Sequence, residues 1–411
     1  MNLMSVLIYI MTFFGVYTTI FFFYTLFEFK HKLGNPKIKN IKKVTICVPA
    51  YNEEKHLAKT VESLLNLDYP KDKLEIIIVD DGSKDRTYEI AKKFEKYNVK
   101  VFTKKNEGKG MALNFALKHS TGELFGALDA DSFVNKDALK KMIGYFEDSN
   151  VMAVTPSLKV YKPENMLQKI QYIEYLFGVF LRKIFAFLGS IHVTPGPFTI
   201  YRKYFFDKYG GYDENNPTED IEIALRIQSK HYEIDNSANA NVYTVAPRTF
   251  RSLLKQRIRW YLGFINNVLN YRRLFSKGYG DLGVFILPAS FISIAFVITM
   301  LIYTISIFFK NLINDFINYK AISFDVLTLL NLDFDFFFVN PGLLTILSLV
   351  SISATILILI IAKSISEEKK KIKFYYIFYF LFYWMLFGFW WVIAGVYKMI
   401  GKKVVWGQRS L

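Results

Sequence analysis

Val44-Thr45-Ile46-Cys47-Val48-Pro49-Ala50 is a short, apolar, β-branched run that halts at the polar trio Tyr51-Asn52-Glu53. A run of this length, closed by turn residues, reads as a buried strand. Four more follow at Leu74–Asp80, Val99–Thr103, Leu124–Asp129 and Val151–Thr155, with helical patterns between them. This alternation predicts an α/β domain with a mainly parallel sheet between about Val44 and Ala246. Ligands of such sheets bind outside the carboxyl ends of the strands. That is where Tyr51, Asn52 and Glu53, then Asp80 and Asp81, then Asp129 and Asp131 fall.

On either side of this domain the chain turns apolar. Met4–Phe27 is an uncharged run of about 24 residues, enough to cross a hydrocarbon core of about 30 Å. No basic segment precedes it and no small-residue cleavage site follows, so it is expected to be a retained helix. Lys30, Lys32, Lys37, Lys39, Lys42 and Lys43 come directly after it, and the positive-inside rule places that flank and the domain in the cytoplasm. Leu282–Phe309, Pro341–Ala362 and Phe374–Tyr397 are also long enough to span.

The connection Lys310–Asp335 has two lysines and four aspartates and is expected outside, whereas Lys363–Lys373, with Lys369, Lys370, Lys371 and Lys373, is expected inside. Four crossings would then leave Lys398, Lys402, Lys403 and Arg409 outside, against the same rule. Either the last segment bends back or the tail breaks the rule. Two amphipathic segments, Met166–Leu188 and Phe250–Phe275, carry Lys169, Arg182 and Lys183, and Arg251, Lys255, Arg257 and Arg259. Such helices lie in the headgroup plane. The expected organisation is a membrane helix in 1–29, a cytoplasmic domain in 30–249, an interfacial helix in 250–281 and a membrane region in 282–411 of a multi-pass protein of the cytoplasmic membrane.

Composition limits the chemistry. One cysteine, Cys47, inside a strand pattern allows neither a disulfide framework nor a thiolate metal site. The five histidines are isolated, so any metal must be held by carboxylates. The net charge of +16 gathers beside the apolar spans, where attraction to membrane lipid explains it more simply than nucleic acid does.

Asp129-Ala130-Asp131 can present two carboxylates to a hard cation, Mg²⁺ or Mn²⁺, or merely end a strand. Asp80-Asp81-Gly82-Ser83, with Pro49, Tyr51 and Glu53, can line a nucleoside pocket or form an ordinary turn. The loop Lys104–Gly110, containing Lys109, suits phosphate but lacks the P-loop spacing. Thr218-Glu219-Asp220 reads as an N-cap with acids favoured by the helix dipole, as a general base, or as both. Gln256-Arg257-Ile258-Arg259-Trp260 reads as an interfacial anchor or as a site for diphosphate and sugar.

In this order and at these separations the motifs resemble those of the family-2 glycosyltransferases, in particular the membrane-integrated processive synthases of cellulose, hyaluronan, chitin oligosaccharide and poly-N-acetylglucosamine. The likeness runs from about Val44 to Phe275. It implies a GT-A-like nucleotide-sugar-binding sheet with a small bundle of transmembrane helices. It further implies inverting, metal-dependent transfer from a nucleotide sugar, UDP-linked in such enzymes, to a glycan or lipid-linked acceptor. By resemblance Asp220 is the base beside Glu219. Pro49, Tyr51, Glu53, Asp80, Asp81, Lys109, Asp129 and Arg259 serve the donor, and Asp129 and Asp131 the metal. Gly196, Pro197, Gln256 and Trp260 serve the acceptor, although the finger Thr194-Pro195-Gly196-Pro197-Phe198 departs from the family's usual residues. A small membrane partner subunit is a further implied partner. The alternatives are a polyprenyl-phosphate single-sugar transferase, against which Gln-x-x-Arg-Trp argues, and a non-catalytic transporter or scaffold, against which the uncharged spans argue.

Overall fold

The computed structural model describes residues 3–321, 342–370 and 375–402. Its centre is one mixed sheet of eight strands: β1 (Val44–Ala50), β2 (Leu74–Asp80), β3 (Lys100–Thr103), β4 (Leu124–Ala127), β5 (Ser132–Val134), β6 (Val151–Val160), β7 (Ile200–Arg202) and β8 (Glu233–Thr244). The spatial order is β3-β2-β1-β4-β7-β6-β8-β5. β1 runs parallel to both β2 and β4, and β2 to β3, which is the arrangement the alternating pattern predicts. The other half is mixed: β7 lies antiparallel to β4 and β6, β5 antiparallel to β8, and β6 parallel to β8.

Period-two alternation places successive side chains on opposite faces. Ile46 and Val48 of β1 join one buried cluster with Ile78, Leu57 and Leu139, while Cys47 joins the other with Ile77, Val79, Phe125 and Ile223. The helices that supply these residues follow the strands in chain order after α1 (Leu3–Glu28): α2 (Leu57–Leu65), α3 (Thr87–Lys92), α4 (Lys109–His119) and α5 (Ala138–Ile143). Then come α6 (Met166–Phe187), α7 (Lys203–Tyr209), α8 (Glu219–Ser229) and α9 (Phe250–Asn270). Three long apolar helices close the chain: α10 (Leu287–Ala321), α11 (Leu343–Ile365) and α12 (Tyr375–Met399). With α1 these make four helices long and apolar enough to cross a membrane.

The amphipathic segments form a layer between the sheet and these apolar helices. α6 starts with a reciprocal cap, Gln168 N–H to Asn165 Oδ1 at 2.9 Å with the Gln168 side chain returning to the Asn165 backbone, and packs on α1, α11 and α12. α9 packs on α8 and α12. The most buried cations of this layer face protein, not headgroups: Lys183 Nζ donates to Asn236 O at 2.9 Å and Arg257 Nη2 meets Glu174 Oε2 at 2.6 Å, each side chain 1% exposed.

The link between α11 and α12 is fastened to the sheet domain. Glu367 pairs with Lys141 at 3.0 Å and accepts from Asn239 at 3.0 Å, while buried Lys159 of β6 donates to Ser366 O at 2.8 Å. Both ends of α12 lie against the amphipathic layer. Tyr376 and Tyr379 pack with α6, and Lys398 Nζ donates to Asn266 Oδ1 of α9 at 2.5 Å. The Lys310–Asp335 connection lies mostly outside the described residues.

Candidate active site

The loops after β1 and β2 are stitched together. Asn52 has a left-handed backbone (φ 56°), which asparagine tolerates better than most residues. Its N–H donates to Ser83 Oγ at 2.9 Å, and Lys84 N–H returns to Asn52 Oδ1 at 2.8 Å. Asp80 accepts from Thr103 Oγ1 at 2.8 Å. Asp81 accepts from Gly108 N–H at 2.8 Å, Glu107 N–H at 3.2 Å and Lys104 Nζ at 3.0 Å, so its carboxylate organises the Lys104–Gly110 loop.

That loop delivers Lys109 at the start of α4. Its Nζ lies 2.8 Å from Asp129 Oδ1 and 2.9 Å from Glu219 Oε1, joining the end of β4 to the start of α8. Burial alone would pull this lysine down, but Asp129 and Glu219 outweigh it and hold Lys109 well above the ordinary lysine value. Gly196 passes so close that a Cβ there would sit 3.0 Å from Lys109 Nζ. Asp131 accepts from Ser132 Oγ at 3.1 Å, and burial with the neighbouring Asp129 pushes its carboxyl up to about 6. Glu53 is pushed up to about 7 by burial, then by Asp131, Asp129 and Asp85. Crowded acids of this kind invite a cation.

Asp220 sits one residue beyond Glu219 on the first turn of α8. Burial and the Glu219 charge push it up to about 6, opposed by Lys109 and Arg259. Its backbone carbonyl accepts from Thr194 Oγ1 at 2.7 Å, which ties the finger Thr194–Phe198 to the helix start. Thr218 occupies the N-cap position without a capping bond. Its hydroxyl donates to Asn216 Oδ1 at 3.1 Å and accepts from Asn267 Nδ2 of α9 at 2.9 Å. α9 approaches so closely that a Cβ on Gly263 would lie 2.2 Å from Thr218 Oγ1. This contact sets Arg259, which donates to Pro217 O at 2.8 Å, beside the acids of α8.

These residues line one cavity of about 710 Å³. Of the residues the motifs single out, Pro49, Tyr51, Glu53, Lys109, Asp129, Asp131, Gly196, Pro197, Glu219, Asp220, Gln256, Arg259 and Trp260 all reach it. Asp80 and Asp81 do not; they serve the loop behind it. The same cavity is also lined by α1, α6, α10 and α12, through Phe22, Leu181, Ile294 and Phe387. Sequence reasoning missed Glu174, 83 positions from the Arg257 it binds. It also missed the stacking of Arg257 over Trp260, with the guanidinium 4.4 Å from the ring centroid. The place of Arg257 inside the Gln-x-x-Arg-Trp motif that ends at Trp260 was the one available signal.

Among the described residues no three His, Cys, Asp or Glu side chains converge as a ready-made metal site. Asp129 and Asp131 offer two carboxylates, and an ion held there would take its remaining ligands from diphosphate and water, as Mg²⁺ commonly does.

Residues 45–210 match the family described as Glycosyl transferase family 2. The chain is 31% identical over 261 residues, 62% of each chain, to a poly-beta-1,6-N-acetyl-D-glucosamine synthase of Staphylococcus aureus (strain COL). It is 33% identical over 230 residues, 55% of each, to the synthase of that name from Staphylococcus epidermidis. The chain thus spans less than two thirds of these relatives' length. Among solved structures it is similar in fold to the mannosyltransferase PcManGT of Pyrobaculum calidifontis, solved in complex with GDP-Man and Mn²⁺, with a TM-score of 0.58 at 17% identity over 96% of this chain and 100% of that one. The match to glycosyltransferase family 2 thus falls on the residues that carry the strand-end acids, Lys109 and the finger.

Proposed function

We propose that the protein is a membrane-integrated, inverting glycosyltransferase that moves a sugar from a nucleotide sugar, UDP-linked in preference, to a growing β-linked glycan. The observation that carries this reading is the convergence of Asp129, Asp131, Lys109 and Asp220 on one cavity that runs on past Trp260 toward apolar helices. In this reading 30–249 is the catalytic domain, 250–281 presents the acceptor-facing residues, and 1–29 and 282–411 hold the enzyme in the cytoplasmic membrane with the domain on its inner side.

Asp220 takes the proton of the acceptor hydroxyl while that oxygen attacks the sugar carbon. The bond from that carbon to the diphosphate breaks, and the nucleoside diphosphate departs. Lys109, buried and held protonated, lies where negative charge grows on the leaving group, and Arg259 adds a second cation on the far side of Asp220. Trp260, held flat by the Arg257 guanidinium, offers a face to the acceptor sugar. Mg²⁺ or Mn²⁺ held by Asp129 and Asp131 supplies further neutralisation of diphosphate charge when bound. PcManGT, solved with Mn²⁺, and the poly-N-acetylglucosamine synthases favour this reading over a scaffold role.

The test is incubation of the full chain in lipid with a panel of radiolabelled nucleotide sugars, with and without a chelator, followed by sizing of the product. Polymeric label that disappears on chelation and returns with Mg²⁺ or Mn²⁺ is expected. Undiminished transfer after exhaustive chelation would remove the metal, and absence of transfer from every donor would remove the enzyme.

A further inference from the structure

We infer that the membrane-facing half of the cavity contains an anion subsite built on Arg182, which takes the phosphate of a lipid whose apolar chain runs between α1 and α10. The inference rests on the reading of this cavity as the acceptor path and names a ligand for its far end.

Three cations line the cavity, and two already have partners: Lys109 bridges Asp129 and Glu219, and Arg259 donates to Pro217 and lies near Asp220. Arg182 differs. Its Nε is buried without a hydrogen-bond partner, and among the described residues no carboxylate stands within ion-pair distance of it. Burial pulls the guanidinium down to about 10, with only Tyr175 acting in the other direction. The side chain folds back along α6 over Gly178, where a Cβ would lie 3.4 Å from Nη1.

Arg182 lines the same cavity as residues of the apolar helices, among them Phe22 of α1 and Ser290 and Ile294 of α10. Thr18 of α1 contributes a second buried, unpartnered polar atom, Oγ1, to the same cavity. Apolar walls come from Phe22, Leu181 and Ile294. A neutral sugar hydroxyl would satisfy the Nε–H but leave a buried charge without a counter-charge. A phosphate supplies the hydrogen bond and the charge together, and the guanidinium fork matches its oxygens. The apolar walls suit a chain attached to that phosphate.

The test uses the full chain in detergent micelles, wild type beside Arg182→Gln and Arg182→Lys. Binding is measured by native mass spectrometry with a long-chain polyprenyl phosphate, the corresponding free alcohol and inorganic phosphate. The wild type should prefer the phosphate ester to the alcohol by at least about tenfold, Arg182→Gln should lose that preference, and Arg182→Lys should keep part of it. Inorganic phosphate should bind far more weakly than the ester. Equal preference in wild type and Arg182→Gln would overturn the subsite, and inorganic phosphate binding as well as the ester would overturn the lipid. Nucleotide-sugar affinity, measured on the same samples, should be the same in wild type and Arg182→Gln. Its absence in the wild type would sink the donor reading while leaving the lipid result standing. With labelled donor present, label moving into the lipid identifies the phosphate as an acceptor, and label remaining in water-soluble glycan identifies a bilayer lipid bound at the same place.

Discussion

Lys109 is the residue on which the site turns, because one buried ammonium ties the end of β4 to the start of α8, with the glycine of the finger close beside it. Around it the acids are pushed toward neutrality, and this sets a pH dependence. Asp220 can accept a proton only when ionised, and its carboxyl is pushed up to about 6. Turnover should therefore rise about tenfold per pH unit below about 6 and level off above it, because the ionised form is the active one. A pH profile of kcat at saturating donor and metal checks this, and a profile flat down to about 4 would remove Asp220 from the proton transfer. The strand-end acids were legible because apolar runs stop at them. The engagement of Asp81 with Lys104, Glu107 and Gly108 was not, since nothing in a turn tripeptide tells which oxygen meets which loop. The Glu174–Arg257 pair was hidden by its separation along the chain.

Among the elements, the contact of α9 with the start of α8 decides whether Arg259 and Trp260 reach the acids. Gly263 permits it, since any side chain there would meet Thr218. Gly263→Ala should cost about 1–3 kcal/mol of stability from overpacking. It should lower transfer further than that loss of folded protein explains, which parallel thermal unfolding and turnover measurements would reveal. Full activity in Gly263→Ala would mean that the close approach does not position α9. β1, β2 and the four apolar helices were readable from their apolar runs. β5 and β7 have only three residues each, too short for a pattern. β8 reads Glu-Ile-Asp-Asn-Ser-Ala-Asn-Ala-Asn-Val-Tyr-Thr, and its buried Asn236 donates from Nδ2 to Thr155 of β6, so polar residues enter the sheet where periodicity offers no signal.

α12 bears on a question the charges left open. Four crossings would strand Lys398, Lys402, Lys403 and Arg409 on the outer side. With its start against α6 and Lys398 bonded to Asn266 of α9, the helix keeps both ends against the α6–α9 layer. A cysteine replacing Gly401 should thus be labelled from the same side as one replacing Lys370. Labelling from opposite sides would show that α12 crosses.

At the scale of the whole molecule, the sheet supplies acids, the α6–α9 layer supplies aromatic and basic residues, and the apolar helices extend the cavity toward lipid. The first of these was legible in the order of the motifs. The continuity of the cavity was not, because it arises where α1, α6, α10 and α12 meet and none of their spacings encodes it. The central claim is that this shared cavity transfers sugar with Asp220 as the base. The most direct test is single-turnover transfer by the full chain in lipid, wild type beside Asp220→Asn, with donor affinity measured on both. Asp220→Asn keeps size and hydrogen bonding but loses basicity, so transfer should fall by roughly 10²- to 10⁴-fold while the donor still binds. An Asp220→Asn protein that transfers sugar at the wild-type rate would contradict the account.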